Sequence, residues 1–147
     1  MKVIKIRPIG IIRSPFKTPV EVPIQPVFSD ARGQVKVYKR YMRGLKDIDG
    51  FSHIILIFCF HKGRRCPLIV KPYLDNKLHG VFATRSPHRP NKIGISIVRL
   101  VKRNANILDI EGLDVIEGTP LIDIKPYVPP FEKTEKVRIG WLEGKIR

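Results

Sequence analysis

Acidic residues are scarce in this sequence: 13 Asp and Glu stand against 28 Lys and Arg, a formal charge of +15 at neutral pH. That imbalance favours a polyanionic partner or a heavily solvated surface, with nucleic acid the first partner to consider. Long apolar runs are missing too. The most continuous, Ile54 to Phe60, is far shorter than the roughly 20 residues a membrane-spanning helix needs, so no membrane partner is expected. Met1-Lys2-Val3-Ile4-Lys5-Ile6-Arg7 alternates charge with β-branched residues, unlike the unbroken apolar stretch of a signal peptide, and a cytoplasmic protein is expected. Cysteine is limited to Cys59 and Cys66, too few for a disulfide framework and compatible with a reducing compartment. Neither G-x-G-x-x-G after a strand nor G-x-x-x-x-G-K-[ST] occurs, which excludes the two familiar ways of seating a nucleotide on a helix N-terminus. His53, Cys59, His61 and Cys66 match no zinc spacing, so no metal is expected and Cys59 is assigned to the core. Ser86, His88 and Asp123 form a hydrolase triad only on paper, because no nucleophile elbow surrounds Ser86.

What is present is strand periodicity. A chain of 147 residues with 43% hydrophobic content is the size of one domain, here residues 1–147. Val3, Ile4, Ile6, Ile9, Ile11 and Ile12 form a β-branched opening bent by Pro8 and Gly10. Val35 and Val37 alternate with basic neighbours, a pattern that extends toward Tyr41. Ile54 to Phe60 reads as a central strand buried on both faces. Ile93, Ile95 and Ile97 alternate with Gly94 and Ser96, and Leu108 and Ile110 alternate with Asp109 and Glu111, with Asn104-Ala105-Asn106 as the turn between them. The 13 prolines and 11 glycines are dispersed rather than gathered in a linker. The fold class is therefore all-β, a single compact β-barrel with irregular loops and at most a short helix around Arg43 to Asp49.

Two polar segments between strands carry the candidate chemistry. Gly80 to Gly94 sets Arg85, His88, Arg89 and Lys92 among Pro87 and Pro90, so a stiff backbone projects charge. Preorganised recognition and a merely solvated connection both fit that pattern. Asp114 to Tyr127 opens with a turn and runs into a strand with Asp123 and Lys125 on one face. Its Glu117-Gly118-Thr119 can offer free backbone N–H and C=O groups to a nucleoside.

These segments resemble the signatures of the TrmO family of S-adenosylmethionine-dependent tRNA methyltransferases. Gly80 to Gly94 is similar to G-V-F-A-T-R-S-P-x-R-P-N-x-I-G, and Asp114 to Tyr127 is similar to D-x-x-x-G-T-P-x-x-D-I-K-P-Y. Pro8-Ile9-Gly10, Arg13-Ser14-Pro15, Pro23-Ile24-Gln25-Pro26, Gly44-Leu45 and Phe51-Ser52-His53 agree in order, so the resemblance runs from Ile6 to about Pro129.

The resemblance implies a barrel that forms a homodimer and holds S-adenosylmethionine near the subunit interface. It assigns cofactor contacts to Gln25, Pro26 and Val27, to His61 and Lys62, to Arg85 and Ile95, and to Glu117, Gly118, Thr119 and Pro120. Arg85 would anchor the methionine carboxylate or a neighbouring loop. The implied substrate is tRNA carrying threonylcarbamoyladenosine beside the anticodon, methylated on N6. Asp123 and Tyr127 are the catalytic candidates for accepting a proton, and for Asp123 an ion pair with a basic neighbour is the alternative. Arg89, Asn91 and Lys92, with Tyr127, are suited to a flipped base. Lys36, Lys39, Arg40, Arg43, Lys62, Arg64 and Arg65 are suited to phosphates. Position 117 is Glu where Asp is frequent, and longer bacterial members carry a further C-terminal domain that helps engage tRNA. Two other readings stay open: a methyltransferase acting on another RNA or a small molecule, and a non-catalytic basic RNA-binding β-barrel.

Overall fold

β-Branched residues alternating with polar ones build the strands. In chain order they are β1 (Gly10–Arg13), β2 (Arg32–Val37), β3 (His53–Cys59), β4 (Ile69–Val70), β5 (His79–Gly80), β6 (Ile93–Asn104), β7 (Ile107–Glu111) and β8 (Thr119–Pro126). The computed structural model describes residues 1–21, 29–63, 67–132 and 135–146. The chain divides into two compact units, one of Met1–His61 and Ile93–Tyr127, the other of Lys62–Lys92 and Val128–Arg147. No helix among the described residues is long and apolar enough to cross a membrane.

In the first unit six strands close into a barrel in the order β1-β2-β7-β6-β3-β8, and β8 returns to β1 through the pairs Ile11–Pro120 and Ile12–Thr119. Closure leaves no sheet edge open to a stray strand. Ile12, Val35, Ile54, Leu56, Phe58, Leu108 and Leu121 fill the interior, each at most 2% exposed. Each such side chain contributes about 1.5–3 kcal/mol by leaving water. An all-β barrel is what the period-two pattern leads one to expect, and the hairpin turn lies where expected, between Asn104 and Ile107. Ala105 there takes a φ of 55°, and buried Asn106 donates from Nδ2 to the Val37 carbonyl at 2.8 Å.

Several expectations change on closure. β3 is central, flanked by β6 and β8, but only Ile54, Leu56 and Phe58 point inward; Ile55, Ile57 and Cys59 are half-buried, so Cys59 is not a core residue. In β6 the isoleucines face outward, Ile95 at 50% exposure, while Gly94 and Ser96 face inward. The reason is volume: the Phe58 and Phe60 rings meet edge to face at 5.3 Å, and a Cβ on Gly94 would stand 2.5 Å from the Phe60 ring. Only Gly10 onward joins the first strand; Val3 and Ile4 lie exposed before it. The short helix is a pair of 3-10 turns, Lys39–Leu45 and Ile48–Gly50, and it takes in Tyr41, which therefore does not extend β2.

The second unit is held by polar contacts more than by apolar packing. β4 and β5 form a two-stranded sheet, and the side chain of Asp75 accepts from His79 Nε2 at 2.8 Å and pairs with Lys145 at 3.4 Å. The His79 ring stacks on Trp141 at 4.5 Å, and Trp141 Nε1 donates to the Ala83 carbonyl at 2.8 Å, so the tail is clipped to the loop after β5. The His79 hydrogen bond, aided by the Asn76 N–H and Lys145, outweighs burial and lowers the Asp75 pKa from 3.8 to about 2. A carboxyl lowered on folding adds stability above its ordinary pKa, and loses it as pH falls through the folded value. The clip should therefore loosen between about pH 4 and pH 2. Trp141 fluorescence is expected to shift over that window, and Asp75→Asn should show the shifted signal already at pH 7.

Candidate functional site

The turn Glu117-Gly118 closes the barrel at the start of β8. Gly118 has a φ of 81°, a left-handed backbone that disfavours side chains with a Cβ. The N–H of Glu117 donates to the Phe16 carbonyl at 2.7 Å, and that of Gly118 donates to the Ile12 carbonyl at 3.0 Å. The free N–H groups expected at these two residues are thus absent, because the turn spends them in joining the start of β8 to β1 and the segment after it. Ser14 Oγ fastens the same corner by donating to the Val115 carbonyl at 2.5 Å, and the Thr119 hydroxyl donates to the Ile116 carbonyl at 2.7 Å.

The Glu117 carboxylate accepts from the N–H groups of Ser14 at 3.3 Å and Gly118 at 3.0 Å. Lys17 lies 3.4 Å away and Arg13 3.9 Å away. Burial pushes its pKa up, but the Ser14 and Gly118 donors and the Lys17 ammonium hold it below the usual value. This corner therefore presents a carboxylate that stays ionised in a half-buried setting.

Along β8 a bulge sets Asp123 opposite Ile57 while Leu121 stays opposite Phe58. The extra residue re-aims the strand, turning Asp123 outward into a row with Ile57 and Ile95, since Ile57 also faces Ile95 on β6. Asp123 pairs with Lys125 at 3.2 Å, so the ion pair that stands as the alternative to catalysis is formed. Tyr127 lies beyond the far end of the strand, its ring edge-on to His53 at 6.4 Å. At about 3.3 Å per residue, Thr119 and Tyr127 are separated by about 26 Å. The barrel unit thus brings Ile95 and Asp123 onto one face and holds Tyr127 away from the Glu117 corner. His61 is exposed just after β3.

In the second unit, Gly80 to Lys92 is a self-bonded loop. The Thr84 hydroxyl donates to the Val81 carbonyl at 2.8 Å, and Arg89 donates to the carbonyls of Thr84 at 2.9 Å and Ser86 at 3.2 Å. Lys92 Nζ donates to the Gly63 carbonyl. Arg89 and Lys92, read as substrate contacts, thus also brace the loop that carries them. Arg85 and Asn91 are exposed on it, and Lys62 is exposed at the start of the unit. Gln25, Pro26, Val27, Arg64 and Arg65 lie outside the described residues.

A feature that sequence reasoning missed is a cleft of about 520 Å³ in the barrel unit, between the Lys39–Leu45 turn and β8. Its lining includes Arg40, Tyr41, Arg43, Phe51 and Asp123. The only signal in the sequence was the basic run itself, with Arg40 and Arg43 read as phosphate contacts.

A closed six-stranded barrel joined to a loop-rich unit bearing a stiff cationic loop defines a class of small β-barrel domain with no helix-terminus nucleotide site among the described residues. Over residues 11–133 the chain matches the family described as tRNA-methyltransferase O N-terminal domain, and it belongs to that family. It is 58% identical to a probable S-adenosyl-L-methionine-binding protein of Pyrococcus abyssi, covering 95% of this chain and 77% of that one. It is 35% identical to the tRNA (adenine(37)-N6)-methyltransferase of Mus musculus, covering 95% of this chain but 34% of the mouse protein. The crystal structure of TrmO from Pseudomonas aeruginosa superposes with a TM-score of 0.80 at 36% identity, over 95% of this chain and 63% of that chain.

Proposed function

We propose that this chain transfers the methyl group of S-adenosylmethionine to the exocyclic nitrogen of adenosine beside the anticodon of tRNA, with threonylcarbamoyladenosine as the accepting nucleoside. The observation that carries this reading is the family match over residues 11–133, which takes in all the barrel strands apart from Gly10 and both polar segments. The relatives that support it are a probable S-adenosyl-L-methionine-binding protein and a tRNA (adenine(37)-N6)-methyltransferase.

The cofactor, when bound, supplies an electrophilic sulfonium methyl; the chain's residues position the partners and take up a proton. In this reading Gln25, Pro26, Val27, His61, Lys62, Ile95 and the Glu117–Pro120 corner hold the cofactor, and Arg85 pairs with its carboxylate. The ionised Glu117 carboxylate suits the cofactor's hydroxyl or ammonium groups. Asp123, on the same face as Ile95, accepts the proton that the nitrogen sheds, while Tyr127, Arg89, Asn91 and Lys92 contact the base and its flanking phosphates. Most of the rate gain would come from aligning nitrogen and methyl.

The homodimer belongs to the same proposal. Tyr73, Phe82 and Phe131 are 88%, 77% and 82% exposed, and in this reading a partner subunit covers Phe82. Sedimentation at micromolar concentration is expected to give about twice the 16.9 kDa chain mass, and Phe82→Glu to shift it toward a single chain. A monomeric wild type would contradict the dimer. Calorimetry with S-adenosylhomocysteine tests the enzyme reading against an RNA-binding barrel: saturable binding supports the enzyme, and RNA binding without it supports the barrel.

A further inference from the structure

The cleft beside the Lys39–Leu45 turn lies wholly within the barrel unit, away from the Glu117 corner along β8. We propose that it seats one unpaired nucleotide of the RNA substrate, with the base against Tyr41 and Phe51 and the flanking phosphates on Arg40, Arg43 and Lys46. The proposal takes its RNA from the methyltransferase reading, but it needs none of the cofactor assignments.

Three properties of the cleft fit that occupant. Two aromatic residues, Tyr41 and Phe51, stand in the lining, and aromatic side chains are what bases of any identity stack on, since every base has a π-face of its own. Arg40 lies 6.0 Å from the Tyr41 ring centroid, so its planar guanidinium can extend the stack or turn to a phosphate. Arg40, Arg43 and Lys46 are exposed and make no ion pair among the described residues, whereas Asp123 in the same lining is already matched by Lys125. Asp47, also in the lining, leaves the cations in the majority. Unmatched arginines beside aromatic faces are the chemistry that binds single-stranded nucleic acid, and a rigid duplex presents no free base to such a slot.

Two variants separate the cleft from the fold. Arg40→Gln/Arg43→Gln removes charge, and Gly44→Glu adds bulk and opposite charge where a new Cβ meets nothing within 4 Å. The measurement is fluorescence anisotropy of tRNA and of its anticodon stem-loop across a salt series, with S-adenosylhomocysteine calorimetry as the control. Both variants are expected to bind either RNA about tenfold more weakly with unchanged S-adenosylhomocysteine affinity. The double variant should also lower the slope of log affinity on log salt by about one for each phosphate that is no longer neutralised. A single-stranded oligonucleotide should displace the stem-loop from the wild type, and a blunt duplex should not. Wild-type RNA affinity and salt slope in both variants, or equal displacement by the duplex, would overturn the cleft assignment alone. A wild type that binds S-adenosylhomocysteine but ignores tRNA would overturn the tRNA reading and the cleft with it.

Discussion

Arg85→Ala is expected to lower methyl transfer about ten- to hundredfold in a protein whose circular dichroism spectrum still shows the barrel folded. Arg85 is exposed on a loop that is also held by the Thr84 hydroxyl, the Arg89 guanidinium and the Trp141 indole. Truncation removes the guanidinium charge while those three bonds remain. A hydrogen bond to a charged group is worth about 1.5–3 kcal/mol, and each 1.36 kcal/mol is about tenfold in rate. The loss should fall on the efficiency with which S-adenosylmethionine is used, and Arg85→Lys should restore part of it, since an ammonium keeps the charge but not the two-pronged geometry. Full activity in the alanine variant would remove Arg85 from the site.

Gly10→Ala should have the largest effect on stability. A Cβ at Gly10 would lie 2.2 Å from the Lys36 carbonyl oxygen and 3.0 Å from Val37 Cα, and both are backbone atoms of the paired strand β2. No rotamer relieves that clash. β1 must part from β2 at the point where Gly10 is also paired to Leu121 of β8, so barrel closure itself is strained. The cost should reach or exceed the upper end of the roughly 1–3 kcal/mol typical of overpacking. For a chain of this size that is a fall in melting temperature of about 6–12 °C, at about 2–4 °C per kcal/mol. Gly44→Ala, where a Cβ meets open space, should stay within about 0.5 kcal/mol of wild type. Thermal unfolding of the two variants side by side tests the argument, and equal melting temperatures would refute it.

The contrast between these glycines shows what could be read in advance. Alternation at Val35 and Val37, at Leu108 and Ile110, and the Asn104–Asn106 turn each follow from a period of two, and a closed barrel is a natural outcome of many short strands. Alternation alone could not say which way β6 faces, because Ile95 and Ile97 look more like core than Gly94 and Ser96. The inward side is chosen by the Phe58 and Phe60 rings, which need the space a glycine leaves. The bulge that turns Asp123 outward opposite Ile57 is a pairing event between β3 and β8, invisible in either strand alone. At the candidate site, the stiffness of Gly80 to Lys92 was legible from its prolines, but the use of Arg89 to brace the loop was not. The cleft at Arg40 and Arg43 likewise required the Lys39–Leu45 turn to fold against β8.

The most direct measurement is incubation of the protein with methyl-labelled S-adenosylmethionine and tRNA bearing or lacking the threonylcarbamoyl group, followed by mass spectrometry of the released nucleosides. One methyl group on threonylcarbamoyladenosine, and none on the unmodified adenosine, is the predicted result. No labelled nucleoside from either tRNA, by a protein that remains folded, would contradict the account.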